Sequence, residues 1–179
     1  MLSLAAVWLT TARISWCWPI GLASVLVSGL VFYRARLLSD TLLQLIFAVM
    51  QVYGWWQWRR APQVDQHPAV RPMRRWEAWV PLAMGAAGTF VLGGITSALG
   101  AALPWIDAAL TALSLVAQFW MARLIRASWL LWIAVDIAYV WLYWKRDLPP
   151  YSALSAIYIV LAIEGWRRWN PAAAAAPAP

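Results

Sequence analysis

The chain has 179 residues, of which 64% are hydrophobic and only 12% are charged. A soluble domain carries roughly 25% charged residues, so this composition excludes a water-soluble globular protein and indicates an integral membrane protein. Sixteen tryptophans agree, because Trp concentrates where hydrocarbon meets water. The net charge of +7 lies in short clusters between apolar runs, which indicates membrane topology and not nucleic-acid binding.

Apolar runs predict seven helical segments, since a membrane-spanning helix needs about 20 largely apolar residues. They cover residues 2–12, 15–33, 38–58, 77–100, 105–122, 128–144 and 150–169. The first segment is too short to cross a bilayer unaided. A cleavable signal peptide is not expected, because Arg13 is the first charged side chain and apolar spans continue to the end.

The long connection at residues 59–76 contains three prolines, which disfavour helix. The loops on its side of the membrane carry ten Lys or Arg residues, whereas the loops on the other side carry four. Because positive loops stay in the cytoplasm, we predict a cytoplasmic C-terminus and an external N-terminus.

Two parts of the sequence match each other. A shift of 111 positions lays residues 16–58 on residues 127–169 without a gap, and the pattern G-W-x-x-W at 54–58 falls on the same pattern at 165–169. The shift skips four crossings, so the two copies run in the same direction and predict parallel three-helix repeats. The predicted parts are a first repeat at 1–58, a cytoplasmic loop at 59–76, a linker helix at 77–104, a second repeat at 105–169 and a disordered tail at 170–179.

The tryptophans of the two G-W-x-x-W patterns lie beside arginine pairs at helix ends. Such positions are typical of membrane-interface anchors, and we predict this role for Trp58 and Trp169. Trp55 lies one turn deeper, where anchoring and ligand contact both remain open.

Polar side chains inside the apolar segments predict a binding site, because each costs several kcal/mol in hydrocarbon without a partner or cavity. On the sixth segment they share one helical face, with spacing i, i+4, i+7, i+11: Trp132, Asp136, Tyr139 and Tyr143. The third segment has a similar stripe: Gln44, Gln51, Trp55 and Trp58. The fifth segment aligns Asp107, Thr111, Ser114 and Gln118. A common central cavity is predicted, with these substrate-binding residues: Gln44, Gln51, Trp55, Gln118, Trp132, Asp136 and Tyr139.

Each polar residue also has a structural interpretation. Asp136 is suited to an ion pair or hydrogen bond inside the bundle. Gln51 and Gln118 are suited to hydrogen bonds between helices through their side-chain amides. Asp107 is placed to cap the fifth helix. For Glu164, an ion pair with the arginine four residues later is the favoured interpretation.

The combination of residue types predicts the chemistry of the ligand. Aromatic faces attract a desolvated cation by up to about 2 kcal/mol, and a buried carboxylate stays ionised when a ligand supplies the opposite charge. We therefore predict a flat, cationic, hydroxyl-bearing small molecule, stacked on Trp132 or Trp55 and balanced by Asp136. No metal or cofactor is expected, because the single histidine, His67, lies in a polar loop.

In combination, four stretches carry a resemblance to a known family: DTLLQLIFAVMQVYGWWQW (40–58), WIDAALTALSLVAQFWMAR (105–123), WLLWIAVDIAYV (129–140) and IVLAIEGWRRW (159–169). Over nearly its whole length the chain resembles the PnuC family of bacterial vitamin-precursor transporters, best known for nicotinamide riboside. The resemblance implies a SWEET-like fold of seven transmembrane helices in a 3+1+3 arrangement, and a homotrimer in the bacterial inner membrane. It also implies facilitated diffusion, with a cytoplasmic kinase that traps the substrate.

Two features depart from the family. The N-terminal helix is short, and Asp136 and Glu164 stand where some nicotinamide riboside transporters carry asparagine. Sister groups carry thiamine, which is also cationic, or riboflavin, which is neutral and disfavoured by the carboxylates. A thiamine carrier, a proton-coupled carrier with Asp136 as relay and an assembly protein remain alternatives. A membrane-embedded enzyme is not expected, because the sequence has no G-x-S-x-G or H-E-x-x-H motif.

Overall fold

A computed structural model describes residues 2–36, 38–100 and 103–170. The described residues form seven helices and a two-stranded hairpin: α1 (Leu2–Thr11), α2 (Cys17–Arg34), α3 (Leu38–Arg60), β1 (Gln63–Val64), β2 (His67–Pro68), α4 (Arg75–Ala98), α5 (Pro104–Ala122), α6 (Ser128–Lys145) and α7 (Pro149–Arg168). Both ends of each helix lie within two residues of the predicted bounds. The predicted disordered tail lies outside the described residues, apart from Asn170.

Among the described residues, three helices are long and apolar enough to cross a membrane: α2, α4 and α5. The ten residues of α1 rise by about 15 Å at 1.5 Å per residue, which is about half the thickness of the hydrocarbon core of a bilayer. Large apolar side chains cover the outside of the bundle, as in Val49 on α3, Phe90 on α4 and Val160 on α7. This surface suits contact with lipid.

The first helix of each group of three packs against the second helix of its own group and the third helix of the other group. Helix α1 packs against α2 and α7, and α5 packs against α6 and α3. The pairs α2–α3 and α6–α7 are extensive, and α4 lies alongside α5. Residues in the first and last three helices thus meet across the middle of the bundle.

The short connections share an unusual backbone conformation. Arg13, Arg36, Leu124 and Asp147 have positive φ angles of 57°, 60°, 57° and 54°, which is the left-handed region that L residues rarely adopt. Arg13 and Leu124 lie 111 positions apart, and so do Arg36 and Asp147. The same turn geometry therefore recurs at the spacing of the sequence match.

A hairpin in the long loop is a feature that the sequence analysis did not predict. Asp65 and Gln66 have φ angles of 49° and 63° between the paired residues Val64 and His67. Two successive left-handed residues are the geometry of a type I′ hairpin turn. Asp-Gln is a weaker signal for this turn than Asn-Gly or Asp-Gly, so the sequence indicated only a loop.

The carboxylate of Glu77, fully buried at the start of α4, ties the long loop to the bundle. Arg71 donates two hydrogen bonds to it, at 2.8 and 2.5 Å, and the Arg74 backbone N–H donates a third at 3.0 Å. The Arg123 Nε atom lies 2.6 Å from the same carboxylate, and the Trp120 indole donates to the Glu77 carbonyl at 2.7 Å. Glu77 thus joins the loop, α4 and the C-terminal end of α5.

The predicted anchoring role of Trp58 and Trp169 is wrong. Their side chains are 0% and 1% exposed, and their rings lie 5.8 Å apart in the interior of the bundle. Trp18 meets Trp58 edge to face at 5.3 Å, and Trp129 meets Trp169 in the same way at 5.4 Å. The four rings form a cluster, which we call the indole cluster, between the two groups of helices.

Two glycines make room for Trp18 and Trp129 in the indole cluster. A Cβ atom added to Gly54 would lie 2.2 Å from the Trp18 ring, and one added to Gly165 would lie 2.4 Å from the Trp129 ring. Distances this short are incompatible with a side chain, so the glycine of each G-W-x-x-W pattern makes the space that an indole fills.

Hydrogen bonds reinforce the indole cluster across the bundle. The Trp58 Nε1 atom donates to the Met121 carbonyl at the end of α5, and the Trp169 Nε1 atom donates to the Thr10 carbonyl at the end of α1, both at 3.2 Å. Each carbonyl also accepts a backbone hydrogen bond from the turn after its helix, from Leu124 to Met121 and from Arg13 to Thr10, both at 3.0 Å, so the indole N–H uses the second acceptor position of the carbonyl oxygen. The donors lie 111 positions apart, and so do the acceptors.

Candidate functional site

A cavity of about 460 Å³ lies inside the bundle, with walls from α1, α2, α3, α5, α6 and α7. Six of the seven predicted binding residues line it: Gln44, Gln51, Gln118, Trp132, Asp136 and Tyr139. The structure therefore brings together side chains from α3, α5 and α6 that are up to 95 positions apart in the sequence.

Trp55 is the predicted residue that does not line this cavity. Its side chain is 39% exposed, and the guanidinium carbon of Arg59 lies 5.5 Å from the centre of its ring. These surroundings agree with the anchoring interpretation. Trp55 follows Gly54, and the helical rotation between neighbouring residues turns it away from the face that carries Gln44 and Gln51.

The wall formed by α2 and α3 carries four hydroxyl or amide side chains beside apolar ones such as Trp18 and Phe47. Ser24, Ser28, Gln44 and Gln51 contribute hydroxyl and amide groups. Gly21 makes this arrangement possible, because a Cβ atom there would lie 2.7 Å from the Gln51 amide nitrogen. The wall thus offers both donors and acceptors for hydrogen bonds. The sequence analysis did not predict the two serines, although they lie four positions apart on one face of α2.

Asp136 supplies the acidic group on the opposite wall. Its side chain is 7% exposed and lines the cavity. Within the described part of the chain, no basic side chain lies within 4.0 Å of it. The alternative interpretation of Asp136, an ion pair inside the bundle, is therefore wrong as far as the described residues are concerned. A carboxylate in this position favours a cation that enters the cavity.

Three acidic side chains on the other helices, Glu77, Asp107 and Glu164, each have a basic partner. Asp107 pairs with Arg146 at 2.8 Å and does not act as the predicted helix cap, since Leu103 occupies the N-cap position of α5. Glu164 forms the predicted pair with Arg168, at 2.7 Å. Asp136 therefore differs from Asp107, Glu164 and Glu77 in the way its charge is compensated.

The two ends of the cavity differ. At one end the lining includes Trp18 and Trp129, and the fully buried rings of Trp58 and Trp169 lie behind them. At the other end the lining reaches Tyr151, at the start of α7, which is 56% exposed. The indole cluster thus closes the end near the long loop, whereas the opposite end reaches the surface.

Known proteins resemble this chain over most of its length. The sequence matches the family described as "Nicotinamide mononucleotide transporter" over residues 1–171. The nicotinamide riboside transporter PnuC of Escherichia coli strain K12 is 28% identical, and the match covers 83% of this chain and 73% of that protein. The riboflavin/roseoflavin transporter RibM of Streptomyces davaonensis is 29% identical, and the match covers 88% of this chain and 75% of RibM.

A solved structure shares the fold. A crystal structure of the vitamin B3 transporter PnuC matches with a TM-score of 0.73 and 24% sequence identity, over 94% of this chain and 77% of that one. The arrangement of helices around the cavity is therefore that of a known membrane transporter.

Proposed function

Because the chain belongs to the nicotinamide mononucleotide transporter family, a family of membrane transporters and not of enzymes, we propose that it carries nicotinamide riboside across the bacterial cytoplasmic membrane. Transport is by facilitated diffusion, and phosphorylation by a cytoplasmic kinase traps the substrate for NAD biosynthesis. The protein works as a homotrimer, with one path through each protomer and the C-terminus in the cytoplasm.

The observation that carries this proposal is the carboxylate of Asp136, which has no basic partner among the described residues and lies in a cavity lined by aromatic and amide groups. Nicotinamide riboside consists of a cationic pyridinium ring, a carboxamide and a ribose. The ring stacks on Trp132 with its charge balanced by Asp136, while Gln44, Gln51 and Gln118 bind the ribose hydroxyls and the carboxamide. The cavity volume of about 460 Å³ falls within the range of roughly 300–1,000 Å³ that small-ligand sites occupy.

The proposed architecture is a SWEET-like 3+1+3 arrangement. All seven helices lie in the membrane, and α1 crosses it only in part. The repeats are residues 1–58 and 105–169, with the loop 59–76 and the linker helix 77–104 between them. Three features at a spacing of 111 residues support it: the left-handed turns, the edge-to-face indole pairs, and the reciprocal bonds from Trp58 and Trp169.

The residues that line the cavity differ between the two repeats. This difference supports a ligand whose two ends differ in charge and polarity. Asp136 corresponds to Val25 in the first repeat, and Tyr139 corresponds to Ser28. The acidic side chain and the four tyrosines that line the cavity all come from the second repeat, whereas the first repeat contributes two serines and two glutamines beside Trp18 and Phe47. A molecule with a cationic ring at one end and a sugar at the other matches both walls.

Riboflavin is the second candidate substrate, because RibM resembles this chain as much as PnuC does. Riboflavin is neutral, so it leaves Asp136 without a counter-charge in a buried position. Thiamine is cationic and satisfies the same carboxylate. The charge of the cavity therefore favours nicotinamide riboside and thiamine over riboflavin.

Uptake into liposomes that contain the purified protein and no kinase tests the proposal. With equal K⁺ on both sides and a K⁺ ionophore that holds the membrane potential at zero, we expect nicotinamide riboside to enter until the internal and external concentrations are equal, with a rate that a protonophore does not change. Liposomes without protein provide the control. Accumulation above the external concentration that collapses with the protonophore would show proton coupling, and the absence of uptake would contradict the proposed substrate.

A further inference from the structure

Three tyrosine rings form a continuous row along one side of the cavity. The rings of Tyr139 and Tyr143 stack at 5.5 Å with planes 13° apart, and those of Tyr143 and Tyr151 lie 5.5 Å apart with planes at 39°. All three side chains line the cavity. Because the row crosses from α6 to α7, it spans the wall between two helices of the second repeat.

The row joins the surface to the buried carboxylate. Its inner member, Tyr139, follows Asp136 by three residues, so the two side chains lie on the same face of α6, one turn apart. Its outer member, Tyr151, is 56% exposed. A ligand that enters from this end therefore meets the ring of Tyr151 first, then that of Tyr143, before it reaches Asp136.

The charges around the outer end of the row compensate each other. Arg146, in the last turn beyond Tyr143, pairs with Asp107 of α5 at 2.8 Å. Lys145 and Asp147, also of opposite sign, flank the same helix end and are exposed. An unpaired arginine here would repel a cation, and the pair with Asp107 removes much of that repulsion.

We infer that Tyr143 and Tyr151 form an outer subsite that receives the ring of an organic cation before it passes to Asp136. The inference rests on the proposed function, since it assumes a cationic substrate that enters from this end. The ring faces bind the cation by cation–π attraction, which depends on the aromatic ring and not on the hydroxyl group. The row gives aromatic cations a faster route to the cavity than neutral molecules of the same shape.

The association rate of nicotinamide riboside with the full chain in lipid nanodiscs, followed by stopped-flow tryptophan fluorescence, tests this inference. We expect Tyr151→Leu to slow association about two- to fivefold, the loss of one exposed cation–π contact. Tyr151→Phe keeps the ring and serves as the matched control, with the rate of the wild type. Tyr143→Leu and Tyr143→Phe repeat the comparison one step deeper.

A second probe separates charge from shape. Reduced 1,4-dihydronicotinamide riboside has the same size but carries no positive charge, so we expect it to associate more slowly than nicotinamide riboside with the wild type. We expect its rate to be unchanged by Tyr151→Leu. Equal wild-type rates for the two probes, or an equal slowing of both by Tyr151→Leu, would overturn the outer subsite while nicotinamide riboside still binds. No binding of nicotinamide riboside to the wild type would instead overturn the proposed function and, with it, this inference.

Discussion

Replacement of Asp136 by asparagine is expected to weaken binding of nicotinamide riboside by roughly 30-fold or more, because removing one partner of a desolvated charge pair costs about 2 kcal/mol or more. Asparagine keeps the size and shape of the side chain, removes its charge and replaces one of the two acceptor oxygens by a donor NH₂ group. Within the described residues Asp136 has no basic partner, and the ligand supplies the cation that its carboxylate faces. Calorimetry of the purified variant measures the loss.

Glu164→Gln is the matched control for this experiment. Glu164 is also an acidic residue of the second group of helices, but it pairs with Arg168 and is not among the side chains that line the cavity. We expect this variant to bind nicotinamide riboside as the wild type does. Equal affinities of Asp136→Asn and the wild type would show that the carboxylate does not balance the charge of the ligand.

Replacement of Glu77 by alanine is expected to destabilise the protein by about 3 kcal/mol, as when a buried ion pair loses one member. For a chain of this size that corresponds to a melting temperature lower by roughly 6–12 °C. The reason is that Arg71 and Arg123 both depend on the Glu77 carboxylate, which is fully buried. Thermal unfolding of the detergent-purified variant, followed by tryptophan fluorescence, measures the change.

The exposed pair of Glu164 and Arg168 provides the comparison for Glu77. Its atoms are 2.7 Å apart, a distance close to those in the Glu77 cluster, but both side chains are partly exposed. Exposed pairs contribute roughly 0–1 kcal/mol, so Glu164→Ala should lower the melting temperature only slightly. In addition, Arg71→Ala should lower the melting temperature much less in the Glu77→Ala background than in the wild type. The stability effects of substitutions within one network are not additive. A small effect of Glu77→Ala would contradict the structural role of the cluster.

The helices and six of the predicted binding residues that line the cavity follow from the sequence for a clear physical reason. A membrane helix must be apolar over a fixed length, so its ends are visible as the ends of apolar runs. A polar side chain inside such a run needs a partner or a cavity, and Gln51 and Asp136 were identified in this way. The sequence does not show whether a partner is present. The structure shows that Asp107 pairs with Arg146, whereas Asp136 has no basic partner in the part of the chain that it describes.

The errors arose where packing between distant segments decides the outcome. Trp58 and Trp169 lie beside arginines at helix ends, which is the usual setting of an interface anchor. The space beside Gly54 and Gly165 admits Trp18 and Trp129, and the rings then close into the indole cluster. Such contacts depend on pairs of residues 36 to 111 positions apart, which a pattern along one helix does not reveal.

The central claim is that an ionised acid and aromatic rings in the cavity select a positively charged vitamin precursor. Titration calorimetry of the purified wild-type protein with nicotinamide riboside, thiamine and riboflavin, under the same conditions, tests it most directly. We expect saturable binding of nicotinamide riboside with one site per protomer, and at least tenfold weaker binding of riboflavin. Binding of riboflavin as tight as, or tighter than, that of both cations would contradict the account.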